Sequence, residues 1–130
     1  MEYPQKIKTM KSIKKLLMVA TLLLSVISAN AQIKNKTTET VKINGNCGMC
    51  KKTIETAANI EKTAKVTWDP TSQTAVVIYD KKKTTLDTIL KRIAHAGYDN
   101  EKFTAPDSVY NNLHGCCQYD REKSVLKKSK

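Results

Sequence analysis

Aromatic residues are scarce in this chain of 130: one Trp, one Phe and five Tyr. They are not interleaved with basic residues as a single-strand nucleic-acid binder needs, so the excess of Lys plus Arg, 23 against 12 Asp plus Glu, does not point to nucleic acid. The four Gly build no phosphate-cradling loop. With two His, no Ser/His/Asp pattern and no matched carboxylate pair, nothing marks an enzyme. No apolar run reaches the roughly 20 residues that span a bilayer.

What the chain does have, at its start, is an export signal. Lys6, Lys8, Lys11, Lys14 and Lys15 precede an apolar run from Leu16 to Ile27, and Ala29-Asn30-Ala31 is a small-residue cleavage site. The expectation is a signal peptide over residues 1–31, a mature chain from Gln32 without a stable membrane anchor, and a periplasmic or secreted location. Met10 opens a complete signal by itself, and starting there gives the same mature protein. From Gln32 on, 18 Lys plus Arg face 11 Asp plus Glu, a net of +7. A basic surface suits nucleic acid, anionic membrane or an acidic protein, and export removes the first. Lys81-Lys82-Lys83 and the closing KSVLKKSK read as solvated charge.

All four cysteines follow Gln32. An even count in an exported chain invites a disulfide framework. Cys47/Cys50 and Cys116/Cys117, however, are two tight local pairs, and adjacent cysteines rarely bridge each other without strain. Such pairs are more useful as ligands or redox centres. The 99 residues from Gln32 are enough for one domain with a modest core.

Val41 and Ile43 alternate in Thr40 to Ile43, the period of a half-buried strand, and Asn44-Gly45-Asn46 breaks it. From Gly48 the spacing turns helical, with Cys50, Ile54, Ala57 and Ala58 on one side. Cys47 is thus placed in the loop and Cys50 in the first helical turn. Strand-like runs at Lys65 to Trp68 and Thr74 to Tyr79 flank the turn formers Asp69, Pro70 and Ser72, which predicts a hairpin, with Trp68 and Tyr79 packing in the sheet. Thr84 opens a second helix, Asp87 completes a capping box, Leu86, Ile89, Leu90 and Ile93 form the buried stripe, and Gly97 ends it. A last strand is expected over Glu101 to Thr104.

The order β-α-β-β-α-β predicts an α+β fold, a ferredoxin-like sandwich. The divisions are a linker over 32–38, a domain over 39–104 and a C-terminal tail over 105–130, with a short helix near Asp107 to Asn112. Every predicted element of the sandwich precedes the tail, so its removal is expected to leave the fold intact.

This order of elements, with GNCGMC in the first strand-to-helix loop, the VIYD strand and the AGYD turn, resembles the heavy-metal-associated domain. That module occurs in copper chaperones, the amino termini of metal-pumping ATPases and the periplasmic mercury-binding protein. The resemblance covers Glu39 to Thr104 and implies that Cys47 and Cys50 bind a soft metal, Cu(I) first, with Zn or Hg as alternatives. It further implies a monomeric carrier whose partner is a metal-transporting ATPase or another metal-trafficking protein. The family usually has Met two residues before the first cysteine, packed inward. Here that position is Gly45, and Met49 stands between the cysteines instead. Tyr98 takes the place of a family residue close to the metal, where it either neighbours the thiolates or simply caps the core. His95 reads as an ordinary helix-face histidine.

Soft thiolates select Cu(I) over hard ions. A helix start favours the thiolate form of a nearby cysteine, and Lys51 and Lys52 add positive potential. Structural zinc wants four ligands, and Cys116, Cys117 and His114 could complete that number if the tail folds back. The competing class is a thiol-disulfide redox module, disfavoured because no Trp precedes Cys47 and the element order differs. A plain Cys47 to Cys50 disulfide is the remaining alternative.

Overall fold

The computed structural model describes residues 32–122. The signal reading over residues 1–31 and the end of the basic tail lie outside them. Three strands, β1 (Lys36–Lys42), β2 (Ala64–Asp69) and β3 (Thr74–Asp80), form an antiparallel sheet in the order β1-β3-β2. Helix α1 (Gly48–Ala58) packs on β2 and on helix α2 (Leu86–His95), giving the α+β arrangement of the ferredoxin-like sandwich. A short helix α3 (Asp107–Asn111) and a 3-10 turn (Gly115–Cys117) follow.

Strict alternation makes β2 and β3 the sheet's inner wall. Ala64, Val66 and Trp68 point inward from β2, and Ala75, Val77 and Tyr79 from β3. They meet Ile54 and Ala58 of α1 and Leu86, Ile89, Leu90 and Ile93 of α2. Trp68 and Tyr79 take the packing roles their strand positions suggest. The indole Nε1 of Trp68 also donates to the Ile43 carbonyl at 3.0 Å, and the Tyr79 hydroxyl to Glu39 at 2.6 Å.

Four details depart from the sequence reading. Strand β1 starts at Lys36, so part of the segment read as linker pairs with β3 from Lys36↔Asp80 onward. Its first residues are polar and mostly exposed, and only backbone pairing recruits them. Helix α2 is capped by Thr85, whose hydroxyl accepts from the Thr88 amide at 3.2 Å, in place of Thr84. The expected box partner Asp87 pairs instead with Lys102 at 2.6 Å.

The last strand, expected over Glu101 to Thr104, shrinks to one antiparallel bridge, Ile43↔Asn100. Asn100 is the cause. Its side-chain oxygen accepts from the amides of Lys102 and Phe103 at 3.3 and 3.1 Å, curling the chain away just where a strand would continue. Its amide group donates to the Leu90 carbonyl at 2.9 Å and anchors the turn to α2.

The fourth departure is the tail, which is built into the domain. Cys117 and Tyr119 are buried and join the hydrophobic core. The Tyr119 hydroxyl donates to the Gly97 carbonyl at 2.9 Å and accepts from the Asp99 amide at 2.7 Å. Its ring stacks on Tyr98 and meets the edge of Tyr110, whose hydroxyl donates to the Tyr119 carbonyl. Arg121 reaches Asp99 at 3.0 Å and Asp107 at 2.6 Å and covers the Tyr110 ring at 4.1 Å. At Gly97, φ is +110° and an added Cβ would lie 2.8 Å from Leu113, so the helix terminator also makes room for the tail.

Candidate metal centre

The loop between β1 and α1 is held from two sides. The Gly45 amide donates to the side chain of Gln73 at 2.9 Å, and the Ile43 amide to the Gln73 carbonyl at 3.0 Å. Gln73 belongs to the β2-β3 turn, where it adopts a left-handed φ of 57°. The hairpin turn therefore positions the cysteine loop, a link with no periodic signal in the sequence.

Gly45 sits against Trp68. A Cβ there would lie 2.9 Å from the indole Cη2 and 3.3 Å from the Cys50 Cβ. The space under the loop that the family resemblance assigns to a methionine is occupied by Trp68. Gly45→Met is expected to destabilise the protein by about 1–3 kcal/mol through overpacking, and shortening the indole as Trp68→Leu should relieve part of that cost. Urea denaturation of both single variants and the double variant measures the coupling, and strict additivity would contradict the contact.

Cys47 is the N-cap of α1, with extended backbone, and its carbonyl accepts from the Lys51 amide at 3.0 Å. Cys50, one turn on, is fully buried. The two sulfurs are 3.7 Å apart, and the Asn46 amide donates to the Cys50 sulfur at 3.4 Å. All four cysteines are free thiols. The amides of Cys50 and then Met49 at the helix start lower the Cys47 pKa from 9.0 to about 7. Lys51 contributes less than the sequence suggests, because its ammonium is engaged by Glu55 and by the Trp68 carbonyl. Lys52 is exposed.

The tail brings two more sulfurs. The Cys116 sulfur lies 3.8 Å from that of Cys47, 3.8 Å from that of Cys117 and 3.9 Å from the Met49 thioether. The sulfurs of Cys47, Cys50 and Cys117 all lie within 4.8 Å of one another. Asn46 ties the two segments together by donating its side-chain amide to the Cys116 carbonyl at 3.1 Å. Burial, and then the neighbouring Cys50, pushes the Cys117 thiol up to about 12. Cys116 and Met49 are exposed.

Tyr98 is fully buried, with its ring in the core and its hydroxyl without a hydrogen-bond partner. Burial first, and then the adjacent Cys117, drives its pKa well above 10. The ring thus packs in the core and the hydroxyl neighbours the Cys117 thiol. His114 is exposed and outside the sulfur cluster, contributing only a carbonyl that accepts from the Cys117 amide at 2.7 Å. His95 is exposed on α2. Asn46, Gln73, Tyr119 and Arg121 shape the site without having been singled out, because each works through a tertiary contact.

Residues 40–99 match the heavy-metal-associated domain. This chain carries a heavy-metal-associated domain. The matched range contains Cys47 and Cys50 and ends before Cys116 and Cys117. No curated protein matches the chain. Two solved structures are similar to it. A CopZ metallochaperone is 26% identical, with 49% of this chain and 98% of that one covered and a TM-score of 0.47. The solution structure of a protein from Bacillus anthracis str. Ames named for copper-ion binding is 27% identical, with 50% and 94% covered and a TM-score of 0.47.

The two ends of the thiol scale lead to a pH experiment. Only the thiolate is nucleophilic, so alkylation of Cys47 in the reduced, metal-free protein should rise through a midpoint near pH 7. Cys117, held near 12, should stay protonated and slow across the same range. Mass-resolved iodoacetamide labelling from pH 5 to 10, a range that spans both the lowered value and the ordinary thiol value of about 8.5, separates the two sites. A Cys47 midpoint at the ordinary thiol value would contradict the helix-start effect.

Proposed function

We propose that this protein binds a soft heavy-metal ion, Cu(I) before others, through Cys47 and Cys50, and carries or sequesters it in the periplasm or outside the cell. The observation that carries the reading is the pair of free sulfurs 3.7 Å apart at the start of α1, within a heavy-metal-associated domain. Sulfur ligands favour soft ions, and the helix start favours the thiolate needed to bind them. The export-signal pattern of residues 1–31 supports the location. A carrier needs a donor and an acceptor, and a metal-transporting ATPase or another metal-trafficking protein fits that part.

Anaerobic competition titrations of the reduced protein test the ion preference. Cu(I) should bind with about one equivalent and far more tightly than Mg²⁺ or Ca²⁺, which prefer oxygen ligands. Zn²⁺ and Hg²⁺ in the same series rank the alternatives. Zn²⁺ binding tighter than Cu(I) would overturn the copper assignment, and Mg²⁺ binding comparable to Cu(I) would overturn the soft-metal reading itself.

A further inference from the structure

Two thiols alone fit the observed spacing poorly. With metal–sulfur bonds of about 2.3 Å, a linear two-sulfur site needs its sulfurs about 4.6 Å apart, a trigonal site about 4.0 Å and a tetrahedral site about 3.8 Å. Cys47 and Cys50 stand at 3.7 Å, nearly an ångström short of the linear arrangement. Further sulfurs are in reach. Cys117 shares the group within 4.8 Å, and Cys116 touches Cys47, Cys117 and Met49 at 3.8, 3.8 and 3.9 Å. The tail is held there by the Tyr119 hydroxyl, the Arg121 ion pairs and the Asn46 bond to Cys116. No carboxylate or imidazole belongs to the group among the described residues, so its chemistry is that of sulfur throughout.

Resting on the soft-metal reading above, we propose that the tail dithiol belongs to the metal site: Cys117 is a third, buried ligand beside Cys47 and Cys50, and Cys116 with the Met49 thioether is an outer pair through which the ion enters and leaves. Burial divides the sulfurs in this way, since Cys50 and Cys117 are enclosed while Cys116 and Met49 face solvent. Cys47 adjoins both sets, so an ion moves between them by exchanging one sulfur at a time. Each thiol that binds releases its proton to solvent, each bond made to the inner set replaces one to the outer pair, and no electron is transferred. The Tyr98 hydroxyl, buried beside Cys117 without a partner, is a donor available to the metal-bound sulfur. A thioether at the outlet favours a soft monovalent ion over harder ones.

The test uses the reduced protein loaded with one equivalent of Cu(I). X-ray absorption should count about three sulfur neighbours in the wild type and in Cys116→Ser, and about two in Cys117→Ser. Cys117→Ser should weaken Cu(I) binding by about tenfold or more. Cys116→Ser and Met49→Leu should slow Cu(I) transfer to the chelator bicinchoninate by about tenfold, because an internal sulfur no longer competes at the exit. Two sulfur neighbours in the wild type would overturn the proposal without any variant, which guards against a Cys117→Ser chain that misfolds. An unaltered transfer rate in Cys116→Ser would overturn it equally. Failure of the wild type to bind Cu(I) at all is a different result, and defeats the underlying soft-metal reading.

Discussion

Tyr119→Ala is expected to lower the stability of the reduced, metal-free protein by about 3–5 kcal/mol, the range for removing a buried aromatic side chain. The ring is buried against Tyr98 and Tyr110 inside the main core, far from the predicted strands and helices in sequence. Its hydroxyl also joins the Gly97 carbonyl to the Asp99 amide, both part of the turn that ends α2. A whole domain of this size holds together by only about 5–15 kcal/mol, so the loss is a large share of the total. Tyr119→Phe keeps the ring and should cost about 1–2 kcal/mol, the scale of a hydrogen bond with a partner left behind. Urea denaturation measures both. A Tyr119→Ala midpoint close to wild type would mean that the tail is an appendage after all. On the present structure, cutting the chain before Pro106 should destabilise the fold, the reverse of what the sequence suggests.

The parts of the fold that were readable are those with a period. Ala64, Val66 and Trp68 alternate with polar neighbours, and Leu86, Ile89, Leu90 and Ile93 repeat at helical spacing, so β2 and α2 could be placed to within a residue or two. The polar start of β1 has no such pattern. Its residues are ordered by backbone pairing to β3, which a single sequence does not display. The missing last strand turns on one side chain: Asn100 offers the following amides a local partner and outcompetes the sheet.

The candidate site divides along the same line. Cys47 and Cys50 were legible because both the thiol spacing and the helix start are local. Cys116 and Cys117 could be suspected from chemistry but not positioned, since what positions them is Tyr119, Arg121 and Asn46 acting across the fold. His114 looked equivalent to its cysteine neighbours in sequence, yet the 3-10 turn after it directs Cys117 inward and leaves the imidazole in solvent. Gly45 shows a compensation visible only in three dimensions, because Trp68 lies 23 positions along the chain and fills the space beneath the loop.

The second large effect belongs to the cysteine pair itself. Serine keeps the size and hydrogen-bonding capacity of cysteine but replaces a soft donor with a hard one, so Cys47→Ser, Cys50→Ser removes soft-metal affinity while disturbing packing little at half-buried Cys47. Cys50 is enclosed, so the variant's fold should be checked by circular dichroism before titration. Cys116 and Cys117 remain in place and can retain some copper, but with half of the thiol cluster gone they are poor substitutes. The most direct measurement is an anaerobic Cu(I) titration of the wild type and this double variant against a chromogenic chelator. The wild type should bind about one Cu(I), and the folded double variant should bind it weaker by about a hundredfold or more, a loss expected when two ligands of a chelating set are removed. Equal Cu(I) affinity in the two proteins would contradict the assignment of Cys47 and Cys50 as the metal ligands.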